Sequence, residues 1–146
     1  MSFKRRPLIA GNWKMNGLLD LVRNLAGVLA HKMDQEDPTH FDILICPPAT
    51  LLHPIESLVG KSGLLLGGQD CHMAKSGAHT GDISARMLKD LGSSHVIVGH
   101  SERRADYNET NEIVKSKAEA ALEVNLTAII CVGETEAERK QGITVD

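Results

Sequence analysis

The stretch "VIVGHSERR", residues 96–104, decides how the rest of the chain is read. Three β-branched residues and a glycine run straight into a histidine, a serine, a glutamate and two arginines. A strand buried on both faces reads as an unbroken Val/Ile run, and where it ends at a cleft, polar groups can begin within one residue. The pattern predicts a parallel strand ending near His100, with His100 and Glu102 either lining a site or merely opening a loop. Four other segments repeat it: "RPLIAGNW" (6–13), "FDILICPP" (41–48), "GLLLGGQD" (63–70) and "LTAIICVGE" (126–134). A helix signal follows each of them, which is the rhythm of βαβ units and predicts an α/β fold with a parallel sheet.

The connecting segments carry their own start and stop marks. Leu18, Leu21, Val22, Leu25, Val28, Leu29 and Met33 recur at the spacing of one apolar helical stripe. Thr50 is read as the cap of a second helix, with Pro54 tolerated in its first turn and Gly60 ending it. Ser84 caps "ARMLKDL" before Gly92, and a helix near Thr110 to Glu123 turns Ile113, Val114, Lys117, Ala118, Ala121 and Leu122 inward. Thr135 and Glu138 make a capping box for a helix stopping at Gly142. Between them, the segment from Asp70 to Ile83 is polar, glycine-punctuated and without period, a length of loop that is usually functional.

At 146 residues, 42% hydrophobic and a formal net charge of −3, the chain is expected to be one domain over residues 1–146. No basic surplus points to nucleic acid. The cluster Lys4, Arg5, Arg6 precedes only "PLIAG", too short for a signal-peptide core or a membrane span, so a cytoplasmic protein with no membrane partner is expected. Cys46, Cys71 and Cys131 are odd in number and far apart, which argues against a disulfide framework, and "DCH" at 70–72 lacks a second ligand pair, so no metal is expected.

In parallel α/β sheets, ligands bind at the loops after the strand carboxyl ends. Asn12 and Lys14 follow the first strand, Gln69 to His72 the third, His100 to Arg104 the fourth and Cys131 to Glu134 the fifth. Lys14 offers a cation for an anionic substrate, Asn12 a hydrogen-bond donor, and His100 a donor or proton shuttle at an oxygen that becomes negative. Singly, a lysine in a loop is usually solvated and a lone histidine usually structural. Converging on one face, they suggest chemistry on an anionic carbonyl or phosphate compound. No G-x-G-x-x-G follows the first strand, so a dinucleotide is not indicated.

Taken together, "AGNWKMNG" (10–17), "GGQDCH" (67–72), "SGAHTGDISARMLKDLG" (76–92), "VGHSERR" (98–104) and "CVGE" (131–134) closely resemble triosephosphate isomerase, from about residue 6 to 142. The resemblance implies a TIM (β/α)8 barrel, present here as about five β/α units. It also implies interconversion of dihydroxyacetone phosphate and glyceraldehyde 3-phosphate through an enediolate, with no cofactor, in a homodimer. On that resemblance His100 is the electrophile, Asn12, Trp13 and Lys14 contact substrate, and Glu102 organises the lysine. Thr80 lies on a loop that reaches the partner's active site. The family is the standard example of a histidine acting as a neutral imidazole before a helix amino terminus, and Ser101 and Glu102 are placed to begin such a helix.

The family's sixth unit, with its glutamate base and mobile lid, and the later glycine-rich phosphate loops have no counterpart in the sequence. Trp13 is the only tryptophan. The expectation is therefore a truncated, cleaved or shortened chain, nearly inactive by itself, with a partial barrel that only binds or self-associates as the alternative.

Overall fold

A computed structural model describes residues 5–35 and 40–143; Lys4 of the basic cluster lies outside the described residues. Strands β1 (Leu8–Asn12), β2 (Asp42–Cys46), β3 (Leu65–Gly68), β4 (His95–Val98) and β5 (Thr127–Ile130) form one parallel sheet in the order β1-β2-β3-β4-β5. Each neighbour in space is the neighbour in sequence, as expected when every crossover helix covers the same face and the sheet curls into part of a barrel. The registers run from Leu8 against Asp42 to His95 against Thr127, so all five carboxyl ends open on one rim.

The unbroken apolar runs turn out to divide by alternation. Leu44, Cys46 and Ile97 meet on the inner face, with Leu65, Ile129 and Cys131 against them. Ile45 and Leu66 face outward, packing with Leu51, Ile55 and Val59 of helix α3 (Ala49–Val59). Val96 and Val98 face outward with Leu88 of α4 (Ala85–Asp90) and Val114, Ala118 and Ala121 of α6 (Asn111–Glu123). Gly67 and Gly68 end β3 because a side chain would not fit. A Cβ on Gly67 would lie 2.8 Å from Cys46 Sγ, and one on Gly68 2.5 Å from Leu88 Cδ1.

The caps at Ser84 and at Thr135 with Glu138 stand as the sequence indicates, and Thr110, where the sequence only begins a helix, is a cap as well. Ser84 accepts the Met87 amide, Thr110 the Ile113 amide, and Thr135 and Glu138 close the capping box of α7 (Glu136–Gln141), which Gly142 ends at φ 71°. Four expectations need correction. The cap of α3 is Pro48, whose carbonyl receives Leu51 N at 2.9 Å, and Thr50 lies inside the helix without a capping bond. Pro54 then falls beyond the first turn, where the bond it cannot donate belongs to the exposed Thr50.

The first helix is not one stripe. It is α-helical at α1 (Leu19–Leu21), π-helical at Val22–Ala26 and α-helical again at α2 (Gly27–Gln35). The wider π turn rotates the register, so Val22, Ala26, Ala30 and Met33 are buried while Leu18, Leu21, Leu25 and Val28 form an exposed flank. Leu122, placed inward by spacing, is exposed on the side of α6 that no described element covers. Both sheet margins are similarly open: Ile9 on β1 is 57% exposed, and Val132, just past β5, is 87% exposed. Among the described residues no helix is long and apolar enough to cross a membrane.

All three thiols are free. Burial pushes Cys46 up to about 12 and Cys71 up to about 11. Because the thiolate is the reactive form, a thiol reagent at pH 8 should label half-buried Cys131 first, with Cys46 and Cys71 reacting only as the chain unfolds. Peptide mapping after timed alkylation reads the order, and early labelling of Cys46 would contradict this packing.

Candidate active site

Asn12 ends β1 and turns the chain back on itself. Its Oδ1 accepts the Lys14 amide at 2.9 Å, and Lys14 takes φ 53°, a left-handed conformation that costs a residue with a Cβ. Gln69 holds the distortion from the far side, its Nε2 donating to Lys14 O and to Cys46 O, each at 2.8 Å. So the β3 terminus props the β1 terminus. Without Gln69 the exposed Lys14 carbonyl would turn to water, and the Cys46 carbonyl would keep its bond from Trp13 N at 3.0 Å, so the loss is chiefly one of position.

Directly after β4 ends at Val98, Gly99 adopts φ 71° and His100 becomes the N-cap of a short helix, α5 (Ser101–Asp106). Glu102, in its first turn, spans the rim: Oε1 meets Lys14 Nζ at 2.5 Å and Oε2 meets His100 Nδ1 at 2.9 Å. The bond from Lys14, then the charges of His100 and Lys14, hold the Glu102 carboxyl below the usual carboxylate range. His100 Nδ1 also lies 3.5 Å from the Glu102 amide. One nitrogen cannot serve both, since the carboxylate contact requires a proton on Nδ1 and the capping contact a lone pair. The shorter contact is the stronger one in this arrangement; the longer one is the arrangement that leaves Nε2–H facing outward.

Asn12, Lys14, Gln69, His100, Glu102 and Arg103 line an open cleft of about 450 Å³. That is the size of a small-ligand site, with convergent polar groups. The structure thus brings Asn12, Lys14, His100 and Glu102 together. Trp13 stands apart, its ring packed on the Val22, Leu51 and Ile55 cluster, and Thr80 is exposed on the 70–83 loop, outside the cleft lining.

Beneath the cleft lies a charge cluster that spacing alone did not reveal. Lys117 of α6 reaches Asp70 at 2.7 Å and Glu109 at 2.5 Å, and Arg103 Nε lies 2.6 Å from Glu109 and 3.0 Å from Asp70. Burial pushes Asp70 up and is only partly opposed by Lys117. Burial acts on Glu109 in the same direction, but its bonds to Lys117 and Arg103 outweigh it and hold this carboxyl below its ordinary value. The available signal was Lys117 itself, a cation on an inward helical face, which demands carboxylate partners.

One other group gathers donors: His72, His79 and Asp82 lie with ligand atoms within 4.8 Å of one another. The Ala74 amide donates to His72 Nδ1 at 3.0 Å, which puts the neutral ring's proton on Nε2, 3.8 Å from Asp82 Oδ2. With the His79 ring 4.1 Å away, the trio acts as a brace within the loop, and His72 has no lone pair free for an ion in this arrangement.

The sequence profile described as "Triosephosphate isomerase" matches residues 7–146. The chain belongs to the triosephosphate isomerase family. Among its relatives, the triosephosphate isomerase of Afipia carboxidovorans is 56% identical over 142 residues, 97% of this chain and 56% of that protein. The triosephosphate isomerase of Bartonella bacilliformis is 49% identical over 146 residues, 100% of this chain and 57% of that protein. A crystal structure of the triosephosphate isomerase from Bartonella henselae superposes with a TM-score of 0.89 at 49% identity, covering 96% of this chain and 57% of that one. The chain therefore spans a little over half the length of these relatives, and the partial barrel is the fold that the family resemblance implies.

Proposed function

We propose that this chain supplies the first five β/α units of a triosephosphate isomerase, a cytoplasmic homodimer that interconverts dihydroxyacetone phosphate and glyceraldehyde 3-phosphate without a cofactor. The observation that carries the proposal is that one residue joins the β1 and β4 rims: the Glu102 carboxylate meets Lys14 Nζ at 2.5 Å, and the Glu102 amide lies 3.5 Å from His100 Nδ1. In this reading the Lys14 ammonium attracts the substrate phosphate and Asn12 donates to the substrate oxygen. Removing a proton from carbon makes the carbonyl oxygen negative, and His100 donates from Nε2 to that oxygen while its Nδ1 takes the Glu102 amide. The carboxylate of Glu102 then stays with Lys14. The glutamate base, the lid and the distal phosphate loops belong to later units, so these five units by themselves turn over little substrate. Three free thiols fit a reducing compartment. The exposed 70–83 loop fits the subunit contact, with Thr80 near Asn12 of the partner subunit.

The test is Lys14→Met in an enzyme carrying all eight units. Loss of a charge-assisted contact to the phosphate should lower kcat/KM about 10²-fold, with KM rising as well as kcat falling. Parental kinetics would remove Lys14 from substrate binding. The alternative, a partial barrel that only associates, is favoured by one feature, the bare apolar margins at Ile9 and Val132. It is distinguished by the absence of turnover in the eight-unit protein.

A further inference from the structure

Helix α5 carries His100 at its cap and Glu102 in its first turn, yet it buries none of its own residues. Apolar packing therefore cannot be what fixes its position. Polar contacts attach it instead: Glu102 to Lys14, Arg103 to Asp70 and Glu109, and Arg104 to the backbone on which His100 sits. The β4–β5 ladder ends at Val98 against Ile130, with Cys131 N still donating to Val98 O at 3.0 Å. The first carbonyls past that point are Gly99 and Cys131, and one guanidinium reaches both. Arg104 Nε donates to Gly99 O at 2.8 Å and Nη2 to Cys131 O at 3.2 Å, while Nη1 donates to Asn111 Oδ1 at 2.8 Å at the start of α6.

We infer that Arg104 is a positioning residue for His100: its planar fork prolongs the sheet by one step, locks the left-handed turn at Gly99 and thereby aims the imidazole into the cleft. A planar group with several fixed donors suits three acceptors on three elements, which a flexible ammonium cannot match. The site is also fitted to the group, because a Cβ on Gly99 would lie 2.9 Å from Arg104 Nη2 and 2.7 Å from Val114 Cγ1. The Arg104 amide donates to His100 O at 3.1 Å as part of the helix, but its guanidinium bonds to Gly99, Asn111 and Cys131 and acts through the backbone of the residue before His100. The inference rests on the proposed isomerase reading only in naming His100 the acting group; the experiment reads ring and helix without turnover, so either can fail alone.

Hydrogen exchange of the protein carrying all eight units, followed by mass spectrometry, and carbethoxylation of its histidines test it. Arg104→Met should raise exchange at Ser101–Asp106 at least tenfold and change the modification rate of His100 at least threefold. Exchange at Asp42–Cys46 and the rate at exposed His53 should stay within twofold of the parent. Arg104→Lys keeps the charge and guards against a variant that simply unfolds; it should show the same local changes at threefold or more. Unchanged exchange and reactivity in both variants would overturn the inference. So would a rise shared by all segments and both histidines, which would mark Arg104 as a contributor to general stability only.

Discussion

His100→Gln, in an isomerase carrying all eight units, should lose about 10²- to 10³-fold in kcat while KM moves less than about tenfold. The asymmetry follows from where His100 sits. Charge develops on the substrate oxygen only as the carbon-bound proton leaves, so a donor aimed there stabilises the transition state more than the bound ground state. Glutamine keeps a donor but not its direction: the ring of His100 is rigid and its Nδ1 is fixed against Glu102, so Nε2 points one way, and an unbranched amide has no such constraint. Steady-state kinetics of the purified variant decide it. A kcat within threefold of the parent would take His100 out of the mechanism.

Lys117→Met should destabilise the fold by about 3 kcal/mol at pH 7. Breaking a buried ion pair by deleting one partner costs about 3–5 kcal/mol, because the remaining charge stays buried, and Arg103 remains to compensate part of it. Lys117 is 6% exposed in its side chain and serves both Asp70 and Glu109. The pH dependence has a defined sign. In the parent, Glu109 is held below its unfolded value, so its contribution is complete above about pH 4.3 and is lost as pH falls through the folded pKa. Asp70, raised by burial, acts oppositely and offsets part of this, favouring the folded state as pH falls toward its unfolded value near about 3.9. Without Lys117 both carboxyls are pushed up by burial, the folded variant takes up protons more readily than the unfolded chain, and the deficit shrinks as pH falls from 7 toward about 4. Urea unfolding at pH 7 and pH 4.5 measures the gap. A gap that widens in acid would mean the two carboxylates are not held by Lys117.

The strands were legible because each one is a short apolar run ended by chemistry, and alternation inside the run mattered only to which face each residue took. Helix starts were legible where a side chain makes the cap, at Ser84 and Thr135, and differ at α3, where Pro48 starts the helix through its backbone geometry. The first helix was misread because a π turn is a property of the packed backbone; leucine spacing presumes a uniform 3.6-residue period. Lys14, His100 and Glu102 could be placed on one rim from topology, and the motifs suggested their roles. Gln69 was visible only as a polar residue after a strand, since its work is done on the carbonyls of Lys14 and Cys46. Arg104 and the Asp70–Arg103–Glu109–Lys117 cluster join residues brought together by tertiary packing, and no local pattern encodes such partners.

In the proposed isomerase this chain holds part of the site, and the rim built from Asn12, Lys14, His100 and Glu102 works once the barrel is completed. The direct measurement is a coupled isomerase assay, with sedimentation to fix the assembly state, on the 146-residue chain alone and on the chain joined to the last three β/α units of the Afipia carboxidovorans relative. The chain alone should be self-associated or partly unfolded and without measurable turnover, and the joined protein should isomerise triose phosphates and lose that activity with His100→Gln. A well-folded joined protein with no turnover, or a monomeric chain turning over by itself at near the rate of the joined protein, would contradict the proposal.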